Sequence, residues 1–192
     1  MRTVKEPDVR KGEILEGAIR VFAEKGYDGA TISTIAKELN ISQGLCYRYF
    51  PSKEDIYTAA VEKYADMFLS AYLAHRNADK HIKEHIDGIA ESIASLIYAE
   101  GKDEGLYALF HGKNSERLHN DLMLKVAEKI LPYIQQSLVS AKEKGEITIE
   151  NPEMTAVIGL YGQLGTFFID NISDEERMTA IHDSWDRLLG LK

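Results

Sequence analysis

Helical periodicity constrains this sequence more than any other feature. Apolar residues return every three or four positions along most of the 192-residue chain, and only four prolines interrupt them. Spacing of that kind lines one face of an α-helix and cannot line one face of a strand. The first apolar stripe, Ile14, Leu15, Ala18, Ile19 and Phe22, predicts a helix from Val9 to Tyr27, with Gly26 ending it in a left-handed cap. Thr31 is placed to cap a second helix that buries Ile32, Ile35, Ala36 and Leu39. Asn40 suits a left-handed turn position, and Ser42 caps a third, very short helix over Gln43–Tyr49. Cys46, Tyr49 and Phe50 form its inward side, and Pro51 stops it. A helix of about two turns is unstable alone, so its neighbours must hold it and its outward face must serve a purpose.

The remaining chain continues in the same period. Helices are expected from Lys53 to about Asn77, from Lys80 to Tyr98, over Leu106–His111, and from Leu118 to Lys144 with a kink at Pro132. Asn151 and Pro152 start the next helix, which runs to Asp170. Ser173 and Glu176 form a capping box for the last. The expectation is an all-α chain of about nine helices.

Charge separates the two ends. The chain carries −8 in total, yet residues 1–53 balance at +2 while residues 54–192 balance at −10. An average acidity argues against nucleic acid; the local excess of cations around the short helix argues for it. No run of eighteen apolar residues offers a membrane span. The polar start "MRTVKEPDVRKGE" does not read as a signal peptide, and the single cysteine, Cys46, cannot form an internal disulfide. A cytoplasmic protein is expected.

Two helices joined by a turn of about three residues, braced by a preceding helix, form a helix-turn-helix. The stretch "TISTIAKELNISQGLCYRYFPSKEDIY" resembles the DNA-binding domain of the TetR family of bacterial transcription regulators. The resemblance rests on the second-helix threonine, the "IA" pair, the turn with its serine, the glycine, the tyrosine and phenylalanine, and "SKE". It implies a helix-turn-helix domain over 1–52 and a larger helical domain for ligand sensing and dimerisation over 53–192. By the same resemblance Thr31 and Ser42 touch backbone phosphate, and Gln43, Gly44 and Leu45 look into the major groove. Tyr47 reaches phosphate or base, Lys53 grips the backbone, and Ser33, Arg48 and Tyr49 complete the DNA-facing set. Glutamine can read adenine and an apolar side chain can meet a thymine methyl. Asn40 replaces the usual turn glycine, Leu45 stands where a small residue is common, and Arg48 where an aromatic is common. The last two alter the reading face, so the operator of a relative does not transfer.

The resemblance further implies a homodimer that binds a palindromic duplex operator, represses transcription and is released by an unspecified small-molecule inducer. Phe68, Tyr107, Phe110 and Met123 are candidates for the inducer wall. The helix "EMTAVIGLYGQLGTFFID" is nearly all apolar, so more than one of its faces must be covered. Packed with the last helix against a second copy it makes a four-helix interface. That interface would use Val157, Leu160, Tyr161, Leu164, Phe168, Met178, Ile181, Trp185 and Leu188, with Gly159, Gly162 and Gly165 allowing close approach.

One rival pattern is "HIKEH", His81 to His85, which matches the H-x-x-E-H of inverted zinc peptidases with Glu84 as base. Its plainer reading is a solvated helix start with Ile82 and Ile86 turned inward. A helical adaptor that binds only protein is the other alternative. No P-loop, nucleophile elbow or dinucleotide fingerprint occurs. No enzyme activity, cofactor or metal is expected.

Overall fold

The computed structural model describes residues 6–76, 81–88, 105, 107–108, 112–166, 169 and 171–191. The secondary structure of these residues is helical, with turns between. The helices are α1 (Pro7–Gly29), α2 (Ile32–Glu38), α3 (Gln43–Tyr49), α4 (Lys53–His75), α5 (Glu116–Glu143), α6 (Pro152–Gly165) and α7 (Asp174–Leu189). Residues 82–88 are helical as well.

The capping residues act as their chemistry dictates. Thr31 Oγ1 accepts from the Thr34 amide at 3.1 Å and Ser42 Oγ accepts from the Leu45 amide at 3.3 Å. Asn151 Oδ1 takes the Met154 amide at 2.9 Å, directly before Pro152. Ser173 and Glu176 form the expected reciprocal box. Asn40 takes φ 50°, and Ile41 N–H bonds back to the Ala36 carbonyl at 2.9 Å, so α2 ends in a Schellman-type turn. Pro132 lies inside α5.

Packing divides the chain into two compact units, Met1–Ala65 with Tyr98–Leu122, and Asp66–Ile97 with Met123–Lys192. These divisions fall elsewhere than residue 52, because the first turns of α4 bury Ile56, Tyr57, Ala60, Val61 and Tyr64 in the first unit. Ile14, Ile19, Phe22, Ile35 and Cys46 are no more than 1% exposed there, each large apolar chain contributing roughly 1.5–3 kcal/mol by burial. The second unit has its own core, in which Tyr72, Ile82, Ile134, Leu138, Leu160 and Trp185 are buried.

Gly26 behaves differently from expectation. It has positive φ, but its ψ of 166° lies outside the left-handed cap, and helical residues resume to Gly29. That backbone region is essentially closed to residues with a Cβ. The break removes carbonyls from the helical ladder, and Asn114 supplies the missing donors. Its amide bonds to the Ala23 carbonyl at 2.8 Å and its Nδ2 to the Glu24 carbonyl at 2.6 Å. Gly112 permits this approach, since a Cβ there would lie 2.6 Å from that of Ala23.

Candidate nucleic-acid interface

The short helix α3 is held from one side only. Cys46 is fully buried and Phe50 nearly so, while Gln43, Gly44, Tyr47 and Arg48 are exposed and Leu45 is half-buried. Tyr47 keeps 53% of its surface, large for an aromatic side chain. Burial raises the Cys46 thiol pKa, which keeps the thiolate and its reactivity suppressed. Arg48 Nη2 donates to the Tyr49 hydroxyl at 3.3 Å, and its guanidinium lies 5.2 Å from the Tyr49 ring centre. Thr31, Ser33 and Ser42 are exposed at or near the starts of α2 and α3.

Gly44 adds a second argument. A Cβ at this position would meet nothing within 4 Å, and its φ is not positive. The fold therefore does not require glycine here, although glycine costs a helix about 1 kcal/mol relative to alanine. A bare backbone on an exposed face is useful only to something that approaches from outside.

Lys53 occupies a position that sequence reasoning described incompletely. Its ammonium donates to the Tyr27 carbonyl at 2.7 Å and the Ala30 carbonyl at 3.1 Å, and lies 4.1 Å from the Tyr27 ring centre. Two of its three donors thus hold the end of α1 against the start of α4. No local pattern announces a pair 26 residues apart. Around it, Tyr27 donates to the Glu54 carboxylate, Tyr57 to Asp121 Oδ2 at 2.6 Å, and the Arg117 guanidinium lies 4.6 Å from the Tyr27 ring centre. Burial first, then the Asp121 bond, pushes the Tyr57 hydroxyl pKa upward.

The candidate inducer wall is described only in part. Phe68 is buried, Met123 half-buried, and Tyr107 is 56% exposed. Phe110 lies outside the described residues. A recess of about 150 Å³ is found in the second unit, lined by Arg76, His85 and Lys144 among others.

The candidate dimer face is redistributed. Leu160 and Trp185, expected to meet a partner, are 3% and 2% exposed and belong to the core of their own chain. Gly159 is taken as well, since a Cβ there would lie 2.4 Å from the Trp185 ring. Val157, Leu164, Met178 and Ile181 are half-buried, Tyr161 and Leu188 are each 38% exposed, and Phe168 lies outside the described residues. Met154 and Ile158, absent from the expected set, are 52% and 57% exposed. With Tyr161, Gly162 and Gly165 they form a stripe at helical spacing, a signal the sequence already contained.

In "HIKEH", His81 Nδ1 accepts the Lys83 amide at 3.3 Å and His81 Nε2 lies 3.7 Å from Glu146. Among the described residues no group of three His, Cys, Asp or Glu side chains could hold a metal ion. No described helix is long and apolar enough to cross a membrane.

Comparison with known proteins places these features in company. Residues 14–60 match the model of bacterial regulatory proteins, tetR family. Over 179 residues the chain is 28% identical to the biofilm operon icaADBC HTH-type negative transcriptional regulator IcaR of Staphylococcus epidermidis, covering 92% of this chain and 91% of that protein. Salmonella enterica GusR is 22% identical, with 97% of this chain and 98% of that one aligned at a TM-score of 0.68. The fatty acid degradation regulator FadR from Bacillus halodurans is also 22% identical, with 97% of each chain aligned at 0.67. At such identity the last two show a shared fold.

Proposed function

This chain belongs to the tetR family of bacterial regulatory proteins, and we propose that it is a cytoplasmic repressor that binds a palindromic operator as a homodimer. A small-molecule inducer releases it. The observation that carries the reading is the one-sided burial of α3, with Cys46 sealed behind and Gln43, Gly44, Tyr47 and Arg48 presented outward. Such a helix fits the major groove, where Gln43 and Leu45 meet base edges and Tyr47 and Arg48 lie nearer the backbone. Thr31, Ser33 and Ser42 flank it as phosphate contacts, and the third N–H of Lys53 points the same role at α4. Repression follows the Staphylococcus epidermidis relative, itself a negative regulator.

The exposed stripe Met154, Ile158, Tyr161 supports dimerisation, because an apolar face of that kind calls for cover. Glycines at 162 and 165, where a Cβ would meet nothing within 4 Å, leave room for a second copy. Two reading helices about 34–36 Å apart then meet successive turns of one DNA face. An inducer acts by preferring the form whose reading helices are wrongly spaced, and shifts the balance by no more than its differential affinity.

Selection of bound sites from random duplex DNA tests DNA reading and dimer spacing together. Enrichment of inverted half-sites about 10 bp apart, or a multiple of that, is expected. Recovery of no common sequence, with affinity insensitive to salt, would overturn the reading in favour of a protein-binding adaptor.

A further inference from the structure

We infer that the recess in the second unit is a binding site for a small oxyanion, a carboxylate or a phosphate. Residues 54–192 balance at −10, so a cluster of cations within them needs a reason. Ser137 and Ser140 lie three apart on one face of α5, Lys144 lies just past its end, and all three line the recess. Arg76 enters from just past the end of α4 and His85 from the helical residues 82–88.

The guanidinium of Arg76 is set in place rather than loose. Its Nη2 donates to Gln136 Oε1 at 3.0 Å and approaches Ser137 Oγ at 3.4 Å, and it lies 5.6 Å from the Tyr133 ring centre. Among the described residues no carboxylate pairs with it, and its buried Nε–H has no acceptor. A partly covered guanidinium held by neutral groups keeps its positive field for whatever enters beside it.

Among the described residues Glu146 is the one carboxylate of the lining, and it is engaged elsewhere. Its Oε2 accepts the Ile82 amide at 2.8 Å and lies 3.7 Å from His81 Nε2. Arg76 and Lys144 therefore outnumber it, and the hydroxyls of Ser137 and Ser140 can donate to further oxygens of the same ligand. Size narrows the class. About 150 Å³ equals roughly five water volumes, enough for inorganic phosphate or a four-carbon dicarboxylate and too little for a long acyl chain or a polycyclic aromatic.

The site stands apart from operator reading, so its test omits DNA. Calorimetric titration of the full chain is made separately with inorganic phosphate, with succinate, and with neutral succinamide. Binding of at least one anion with a Kd below about 1 mM is expected, and none of succinamide. Phosphate alone, or succinate alone, identifies which oxyanion the recess takes. Arg76→Gln should weaken that anion at least about tenfold, while Glu146→Gln, which keeps an acceptor for the Ile82 amide, should strengthen it. Opposite signs distinguish a charge effect from general damage to the fold. The inference is overturned if neither anion binds, if Arg76→Gln leaves affinity unchanged, or if both variants weaken binding alike.

Discussion

Replacing Gly159 by alanine inverts the usual effect of that substitution, and its size can be worked out from the surroundings. Inside an exposed helix Gly→Ala gains about 1 kcal/mol. Here the added methyl would lie 2.4, 2.6 and 2.7 Å from three atoms of the Trp185 ring. Carbon atoms prefer about 3.5–4.0 Å, so the ring must retreat by about 1 Å. Trp185 is 2% exposed and its Nε1–H donates to Gln163 Oε1 at 3.0 Å. Overpacking costs about 1–3 kcal/mol, and an indole N–H stretched off its acceptor in a buried site costs about 1–3 kcal/mol more. Because the two costs overlap, the net loss after the propensity gain is about 2 kcal/mol, a fall in Tm of about 4–8 °C for a chain of this length.

Trp185 is the single tryptophan, so its intrinsic emission follows the same event without a label. Thermal and urea unfolding are measured with that signal over a tenfold range of protein concentration, beside Gly162→Ala. A Cβ at 162 meets nothing within 4 Å, so any loss there should depend on concentration, as association demands, and the Gly159→Ala loss should not. If Gly159→Ala matches the parent in stability with unshifted emission, the packing argument for this helix pair is wrong.

Exchanging Gln43 or Leu45 should change which operator is preferred, at about 1–3 kcal/mol for each lost base contact, measured by titration against a set of singly altered sites. Lys53→Met should weaken binding to all duplexes alike and reduce the slope of affinity against salt by about 1. It should also lower thermal stability without DNA, since the Tyr27 and Ala30 carbonyls lose a donor. The Ser173 amide and then the Ser173 hydroxyl hold the Glu176 carboxyl below its ordinary value. The stability it contributes is present above about pH 4.5 and disappears as pH falls through the folded pKa, a loss that Glu176→Gln removes from the unfolding profile. His119 shifts in the same direction for a different reason, its pKa lowered by burial. The folded chain resists its protonation, so stability falls as pH drops below about 6.5 and levels off under the folded pKa; His119→Gln flattens that slope.

Local chemistry was readable in advance and distant pairing was not. Thr31, Ser42, Asn151 and Ser173 each bond the amide three residues on, and Asn40 needs only its own tolerance of positive φ. Periodicity put Gln43, Leu45 and Arg48 outward and Tyr47 at the margin; Gln43 and Arg48 are exposed, while Leu45 is half-buried and Tyr47 the more exposed of the two. Lys53 was read only as a grip on the DNA backbone, and its bonds within the fold were missed because their acceptors lie 26 and 23 residues away. Trp185 and Leu160 were assigned to a partner because an apolar helix pair looks the same whether its own chain or another covers it. The Trp185 ring fills the space at Gly159, which settles that assignment through three-dimensional fit. Met154 and Ile158 were overlooked although their spacing was plain.

The tie between Asn114 and the end of α1 bears on any attempt to work with the head alone. It fastens together points 90 residues apart, and Tyr57 with Asp121 adds a rivet over 64. A gene fragment cut soon after α3 or within α4 would strip away these donors, bare the Ala23 and Glu24 carbonyls, and uncover apolar surface that Leu118 and Leu122 now shelter. Whoever wishes to graft this recognition element onto another scaffold must transplant a mosaic of separate stretches, because nature did not package it as one continuous ribbon.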